Sequence, residues 1–149
     1  MDERRRGVGS DLSGDALKVA EMNREKLGIS KERCTFFKSD LFEKIEGDYD
    51  LIVSNPPYIR TEEIEKLQEE VRLYDPYEAL DGKEDGLYFY RKLAGTAPKH
   101  LNAGGTLVFE IGYDQGAAVK TMMEEAGFSS VEIKKDLAGL DRMVIGTLA

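Results

Sequence analysis

Apolar residues along the chain follow two alternating spacings, which predict strands and helices in turn. Apolar runs at 34–38, 50–54 and 106–111 are short and are bounded by polar or turn-forming residues. Runs of that length are typical of strands buried in a sheet, whereas apolar residues that recur every three or four positions are typical of an amphipathic helix. Strands that alternate with helices predict a parallel α/β sheet.

The first helix follows a short strand that ends at Asp11. Ser13 suits the N-cap position, because its hydroxyl can accept a hydrogen bond from a free N–H group of the first turn, and Gly28 is a suitable stop. Between them, four apolar residues recur on one face: Ala16, Val19, Ala20 and Leu27. The opening of the chain is therefore predicted to be the end of a strand followed by a helix of about four turns.

The rest of the chain predicts a surface helix or lid at 62–73, a long amphipathic helix at 87–101 and a helix at 119–126. Gly104 and Gly105 are expected to end the long helix. The final apolar runs predict two strands, which we expect to pair antiparallel and close the sheet, at 131–135 and 143–148.

The stretch Asn55–Tyr58, with the sequence Asn-Pro-Pro-Tyr, follows directly after a predicted strand. The strand must stop there because proline cannot donate to a sheet ladder, and a residue before proline is held in an extended conformation. In open α/β sheets, ligands bind at the carboxyl ends of the strands. The motif is therefore a candidate site on a stiff loop, although a plain Pro-Pro turn after a strand would give the same four residues.

Two oxygen acceptors in this stretch suit a planar –NH2 group. The side-chain carbonyl of Asn55 and the backbone carbonyl of Pro56 can accept both hydrogens, and the ring of Tyr58 can stack on the planar group. Drawing both N–H bonds toward fixed acceptors favours a pyramidal nitrogen with a directed lone pair. That help is given mainly in the transition state, so the motif predicts activation of a weakly nucleophilic nitrogen.

The motif resembles the N-P-P-Y motif of S-adenosylmethionine-dependent methyltransferases that methylate glutamine side chains or the amino groups of adenine and cytosine. Further segments resemble the HemK-type protein-(glutamine-N5) methyltransferases, which act on peptide chain release factors: 74–82, 85–91, 110–115 and 136–142. With the motif they cover roughly the last two-thirds of the chain, which is more specific than any single motif. Asp75 stands where that family usually has glutamate, and Lys83 where it usually has a second glycine.

The resemblance implies a fold, a reaction and a set of site residues. The fold is α/β, a Rossmann-like class I methyltransferase sheet, and the reaction is methyl transfer from S-adenosylmethionine to the side-chain amide nitrogen of a release-factor glutamine. The implied catalytic and substrate residues are Asn55, Pro56, Pro57 and Tyr58. The implied cofactor residues are Asp11 for the ribose hydroxyls, Asp40 and Leu41 for the adenine, and Asn55. Turn formation by the two acids and core packing by the leucine remain the alternatives.

The resemblance starts at the second strand of the family sheet. The family's helical substrate domain, first strand and glycine-rich loop have no counterpart in the sequence, so we expect 1–149 to be a partial, N-terminally truncated catalytic domain. In the family sheet, that first strand lies between the strands that contain Val8 and Ile52. We expect its place to be filled by another chain, closed up, or opened by displacement of the first strand and helix. Exposed sheet edges would favour a homo-oligomer.

The composition of the chain limits the classes of ligand and partner that it is expected to bind. The formal net charge of −8 disfavours a nucleic-acid partner, which needs a basic footprint, and suits a small ligand or a basic protein. One cysteine and one histidine offer no metal cluster and no internal disulfide. No apolar run is long enough for a membrane span and no signal peptide is present, so we expect a cytoplasmic protein. An adenine-N6-type amino methyltransferase and a non-catalytic remnant stay open as alternative functions.

Overall fold

The computed structural model describes residues 5–149, except for the side chain of residue 72, so the first four residues of the polar N-terminal segment lie outside the described part of the chain. The chain divides into two compact units, Met1–Gly47 and Asp48–Ala149. Each unit has its own sheet, with two strands in the first and four in the second.

The first unit has the predicted order of strand, helix and strand. Strand β1 (Gly7–Asp11) and strand β2 (Cys34–Lys38) are parallel and are connected through helix α1 (Gly14–Lys26). The hydroxyl of Ser13 accepts a hydrogen bond from the Ala16 N–H at 3.2 Å, as predicted for an N-cap. Gly28 follows the helix with a φ of +67°, a left-handed conformation that ends helices.

The apolar face predicted for α1 is not buried. Val19 is 57% exposed and Leu27 is 72% exposed. The buried side chain of this helix is instead Arg24, whose guanidinium donates to the Cys34 carbonyl at 3.2 Å and lies 5.9 Å from the centre of the Phe36 ring. A hydrogen bond and a cation–π contact therefore join α1 to β2, where the sequence pattern indicated apolar packing.

The second unit contains these elements in order: β3 (Tyr49–Ser54), α2 (Thr61–Ile64), α3 (Glu69–Tyr74), α4 (Tyr77–Leu80), α5 (Tyr88–Thr96), β4 (Leu101–Glu110), α6 (Gly116–Glu125), β5 (Phe128–Lys135) and β6 (Asp141–Leu148). The strand order is β3-β4-β6-β5. Strands β3 and β4 are parallel, and β6 is antiparallel to both of its neighbours. The predicted antiparallel closing pair is confirmed.

The long helix predicted at 87–101 is wrong at its C-terminal end. Helix α5 ends at Thr96 and a 3-10 turn, Ala97–Lys99, follows, because Pro98 cannot continue the hydrogen-bond ladder of an α-helix. Leu101 begins strand β4, and Gly104 and Gly105 lie inside that strand rather than ending a helix. The surface helix predicted at 62–73 is divided between α2 and α3.

The core of the second unit lies where α5 and α6 meet the sheet. Tyr90 of α5 and Phe109 of β4 are fully buried and meet edge to face, with ring centres 5.3 Å apart. Val119 and Met123 of α6 are also fully buried, as is Val144 of β6. Burial of each such side chain contributes roughly 1.5–3 kcal/mol, so this contact fixes the strands that carry the candidate site.

Each sheet has an unpaired edge within the described residues. Strand β1 pairs only with β2, and β3 pairs only with β4. Leu51 and Val53 of β3 are 56% and 67% exposed. No strand among residues 5–149 continues the ladder at either edge. No helix in this range combines the length and apolarity needed to cross a membrane.

Candidate active site

The Asn55–Tyr58 loop leaves the carboxyl end of β3 as predicted. Asn55 is exposed, and Pro56 directly after it is buried, so the loop is anchored one residue beyond the amide. Within residues 5–149, no hydrogen bond occupies the Asn55 side chain or the Pro56 carbonyl. Neither of the two acceptors that the sequence singled out is therefore engaged within the described residues, and the Asn55 side chain is exposed.

The ring of Tyr58 lies against the protein on one side. A β-carbon added at Gly112 would be 3.4 Å from Tyr58 Cδ2, so the ring packs beside that glycine. Burial, together with the nearby Tyr58 and Glu110, raises the pKa of the Tyr90 phenol above its usual range. The Tyr90 hydroxyl accordingly stays protonated and donates to the Glu110 carbonyl at 2.8 Å.

Gln115 joins three segments around the loop. Its Nε2 donates to the Tyr58 carbonyl at 2.9 Å and to the Gly86 carbonyl at 3.2 Å, and its Oε1 accepts from the Gly112 N–H at 2.9 Å. The residue is only 4% exposed. Sequence reasoning assigned it no role; the one available signal was its position in the family-like segment 110–115.

A second set of bonds holds the residues that follow the motif. Ile59 donates its N–H to the Leu80 carbonyl at 3.1 Å and accepts from the Gly82 N–H at 2.8 Å. The buried Asp81 accepts from the Thr61 hydroxyl at 2.6 Å and from Lys83 Nζ at 3.0 Å. Burial alone would raise the pKa of Asp81, but these hydrogen bonds outweigh it and hold the pKa below its usual range.

Two glycines allow the close approach of the motif to the segment after α4. A β-carbon at Gly82 would lie 2.8 Å from the Tyr58 backbone, and one at Gly86 would lie 2.5 Å from the Tyr58 carbonyl oxygen. Gly86 also has a φ of +73°, which disfavours any side chain. The family-like segment after the motif thus packs backbone against backbone on the loop.

Ion pairs hold the other family-like segments. Arg60, two residues after the motif, binds Asp114 through both terminal nitrogens at 3.2 Å. Arg91 binds Asp85 at 2.7 Å and 3.0 Å, and this pairing lowers the pKa of Asp85 to about 2. Arg142 donates to Asp136 at 3.2 Å and 3.3 Å. The Arg60–Asp114 pair thus links segment 110–115 to the chain just after the motif, whereas the other two pairs each hold one segment together internally.

The predicted cofactor residues of the first unit lie at the carboxyl ends of its two strands. Asp11 ends β1 and Asp40 follows β2, and both are exposed. One carboxylate oxygen of Asp11 accepts from the Ser13 N–H at 2.7 Å, so the turn-forming role considered for Asp11 is present. Leu41 is half-buried with a φ of +50°. The structure thus brings Asn55, Pro56, Pro57 and Tyr58 together in the second unit, and the two acids and Leu41 in the first.

The chain is similar to known methyltransferases along most of its length. A family described as "Methyltransferase small domain" matches residues 2–72. The release factor glutamine methyltransferase of Clostridium acetobutylicum is 45% identical over 139 residues, which are 91% of this chain and 48% of that protein. The protein of the same name from Agrobacterium fabrum is 46% identical over 138 residues, which are 93% of this chain and 47% of that protein.

A solved structure supplies the comparison of folds. The crystal structure of a methyltransferase from Pyrococcus furiosus superposes with a TM-score of 0.67 at 20% identity, covering 95% of this chain and 62% of that chain. This likeness confirms the predicted α/β, Rossmann-like fold. The chain spans about half the length of the curated relatives that it matches.

Proposed function

We propose that this chain, a homologue of the release factor glutamine methyltransferases over the region that it spans, takes part in methyl transfer from S-adenosylmethionine to the side-chain amide nitrogen of a glutamine in a peptide chain release factor. The observation that carries the proposal is the exposed Asn55 amide at the carboxyl end of β3, with the Pro56 carbonyl beside it and neither oxygen engaged within residues 5–149. The relatives at 45% and 46% identity support the same substrate.

The chain's own residues would activate the nitrogen by position and charge. The Asn55 side-chain oxygen and the Pro56 carbonyl oxygen accept the two N–H groups of the substrate amide, and Pro57 keeps the loop stiff. Tyr58 packs on the planar amide. S-adenosylmethionine, when bound, supplies an electrophilic methyl group on a sulfonium centre. The protein needs no general base before the attack, because the nitrogen becomes acidic only as its new bond to carbon forms.

The chemistry of the first unit fits S-adenosylmethionine. Carboxylates accept well from paired hydroxyl or amino donors, so Asp11 would hold the ribose hydroxyls and Asp40 the exocyclic amine of adenine. Leu41, which is half-buried, would cover the ring. Residues 1–149 would then form part of a methyltransferase catalytic domain that works in the cytoplasm, where release factors act. Assembly of a homo-oligomer through the exposed sheet edges stays a prediction.

A methylation assay tests the proposal. The 149-residue chain is incubated with methyl-labelled S-adenosylmethionine, a release factor and an oligonucleotide that contains adenine, and the labelled group is located by mass spectrometry. We expect the label on a glutamine side-chain nitrogen. Label found only on adenine of an added oligonucleotide would contradict the proposal and support the nucleic-acid alternative. No label, together with no heat on calorimetric titration with S-adenosylmethionine, would support the non-catalytic remnant.

A further inference from the structure

The only described side chain that bonds to the backbone of the Asn55–Tyr58 loop is Gln115. Its amide uses both ends, because Nε2 donates to the Tyr58 and Gly86 carbonyls and Oε1 accepts from the Gly112 N–H. A buried amide whose nitrogen donates two hydrogen bonds and whose oxygen accepts one is held in one orientation. Tyr58 lies 57 positions away in sequence, and Gly86 lies 29 positions away, so the bonds fix long-range geometry.

We propose that Gln115 is the positioning residue of the proposed methyl transfer, holding the Tyr58 carbonyl so that the Asn55 and Pro56 oxygens keep the spacing that an –NH2 group requires. The inference rests on the proposed function for its catalytic consequence, although the positioning itself can be measured without activity. The Arg60–Asp114 pair links the same two segments at the surface, but Gln115 is the buried link. The pair at the surface is screened by solvent and contributes little.

Replacing Gln115 by glutamate tests the hydrogen bonds of the side chain separately from its size. Gln115→Glu keeps the shape and can still accept from the Gly112 N–H, but its second oxygen then faces the Tyr58 and Gly86 carbonyl oxygens. When ionised, that oxygen repels both carbonyls; when protonated, it donates to one of them again. Burial and the two carbonyls raise the pKa of such a carboxyl group, so the loop should loosen at alkaline pH and tighten at acidic pH.

The first measurement is amide hydrogen exchange followed by NMR, expressed as protection relative to an unstructured peptide at the same pH. In Gln115→Glu we expect the protection of the Ile59 and Gly112 amides to fall at least about tenfold near pH 9 and to recover near pH 5. Gln115→Leu, which cannot form the bonds at any pH, should show no recovery. If the leucine variant does not fold, the recovery of amide protection in the glutamate variant near pH 5 still tests the positioning role of Gln115.

Wild-type chain and Gln68→Glu are the matched controls. Gln68 is exposed, so the same chemical change there should leave the protection of Ile59 and Gly112 unchanged. Measuring wild type and Gln68→Glu at every pH also accounts for the titratable groups next to the bonded segments, which include Tyr58, Asp85, Tyr113 and Asp114. Unchanged protection in Gln115→Glu near pH 9 would overturn the inference.

The second measurement is turnover with a release factor. We expect kcat of Gln115→Glu at alkaline pH to fall by about 10²-fold, because small misplacements of a reacting group are costly, while the KM for S-adenosylmethionine stays within about twofold. If instead kcat is unchanged and the KM for S-adenosylmethionine rises by about 10²-fold, the positioning role is contradicted. If the wild-type chain transfers no methyl group, the proposed function fails, and the exchange measurement alone decides the inference.

Discussion

Lys83 adopts a left-handed backbone conformation with a φ of +70°, at the position where the family that it resembles usually has glycine. Such a conformation costs an L-residue about 1–2 kcal/mol. Two contacts with Asp81 offset that cost, since the Lys83 N–H donates to Oδ1 and Lys83 Nζ donates to Oδ2, each at 3.0 Å. The departure from the family pattern is therefore compensated within two residues of the chain.

Replacing Lys83 by glycine or by alanine separates these two effects. Both variants lose the Nζ contact, but only alanine keeps the left-handed strain, so Lys83→Gly should be more stable than Lys83→Ala by about 1 kcal/mol. Chemical denaturation measures the difference. At the control position Lys120, inside α6, the order should reverse, because glycine is the weaker helix former by about 1 kcal/mol. The same order at both positions would contradict the strain at Lys83.

Asp85 should make the folding free energy depend on acid pH. Its pKa in the folded chain is about 2, below the ordinary value of 3.8, because Arg91 binds the ionised carboxylate. The stabilisation is therefore complete above about pH 4 and is lost as pH falls through 2. The pair is half-exposed, so we expect Asp85→Asn to cost less than about 1 kcal/mol at pH 7, and this cost to shrink steadily as the pH falls to 2.

Denaturation at several pH values measures the effect of Asp85. The exposed neighbour Glu84, changed to glutamine, controls for the loss of one negative charge. A difference between wild type and Asp85→Asn that persists unchanged down to pH 2 would contradict the assigned ion pair.

At the scale of elements, the motif loop depends on the short segment between α4 and α5. Gly82 and Gly86 approach the Tyr58 backbone so closely that neither has room for a β-carbon. The buried Asp81 sits at the start of this segment and bonds to Thr61 at the start of α2. The residues that follow the loop in sequence thus hold it in place, as Gln115 does.

Adding one methyl group to this segment should disturb these contacts. Gly86→Ala adds strain at a φ of +73° and a clash with the Tyr58 carbonyl, so we expect it to lower the free energy of unfolding by more than about 2 kcal/mol. Gly95→Ala in α5 is the control, since nothing lies within 4 Å of its added carbon, and it should stabilise the chain by about 0.5–1 kcal/mol. Equal effects of the two changes would contradict the close packing.

At the scale of the whole molecule, the sequence predicted those structural features that are determined by residues close together along the chain. Strands β2 and β3 lie within one residue of their predicted ends because short apolar runs met breakers on both sides. The helix predicted through Leu101 was wrong because its spacing continued the helical pattern past Pro98. The pattern in α1 gave no sign that Arg24 would be the buried side chain.

The role of Gln115 depends on distance in space rather than in sequence. Its partners Tyr58 and Gly86 lie in segments whose approach no periodicity encodes. By contrast, the availability of Asn55 could be predicted, because the prolines after it fix a strand end by local chemistry alone. The sequence therefore indicated the residues of the candidate site, and the structure supplied the contacts that hold them.

The most direct test of the account is the turnover of Asn55→Ala with a release factor and saturating S-adenosylmethionine. The control is Asn102→Ala, an exposed asparagine near the start of β4, whose amide donates to Asp50 at the amino end of β3, the end of that strand remote from Asn55. We predict that kcat falls by about two to three orders of magnitude in Asn55→Ala, as for loss of one preorganised transition-state partner, and stays near the wild-type value in the control. An unchanged kcat in a folded Asn55→Ala chain would contradict the account.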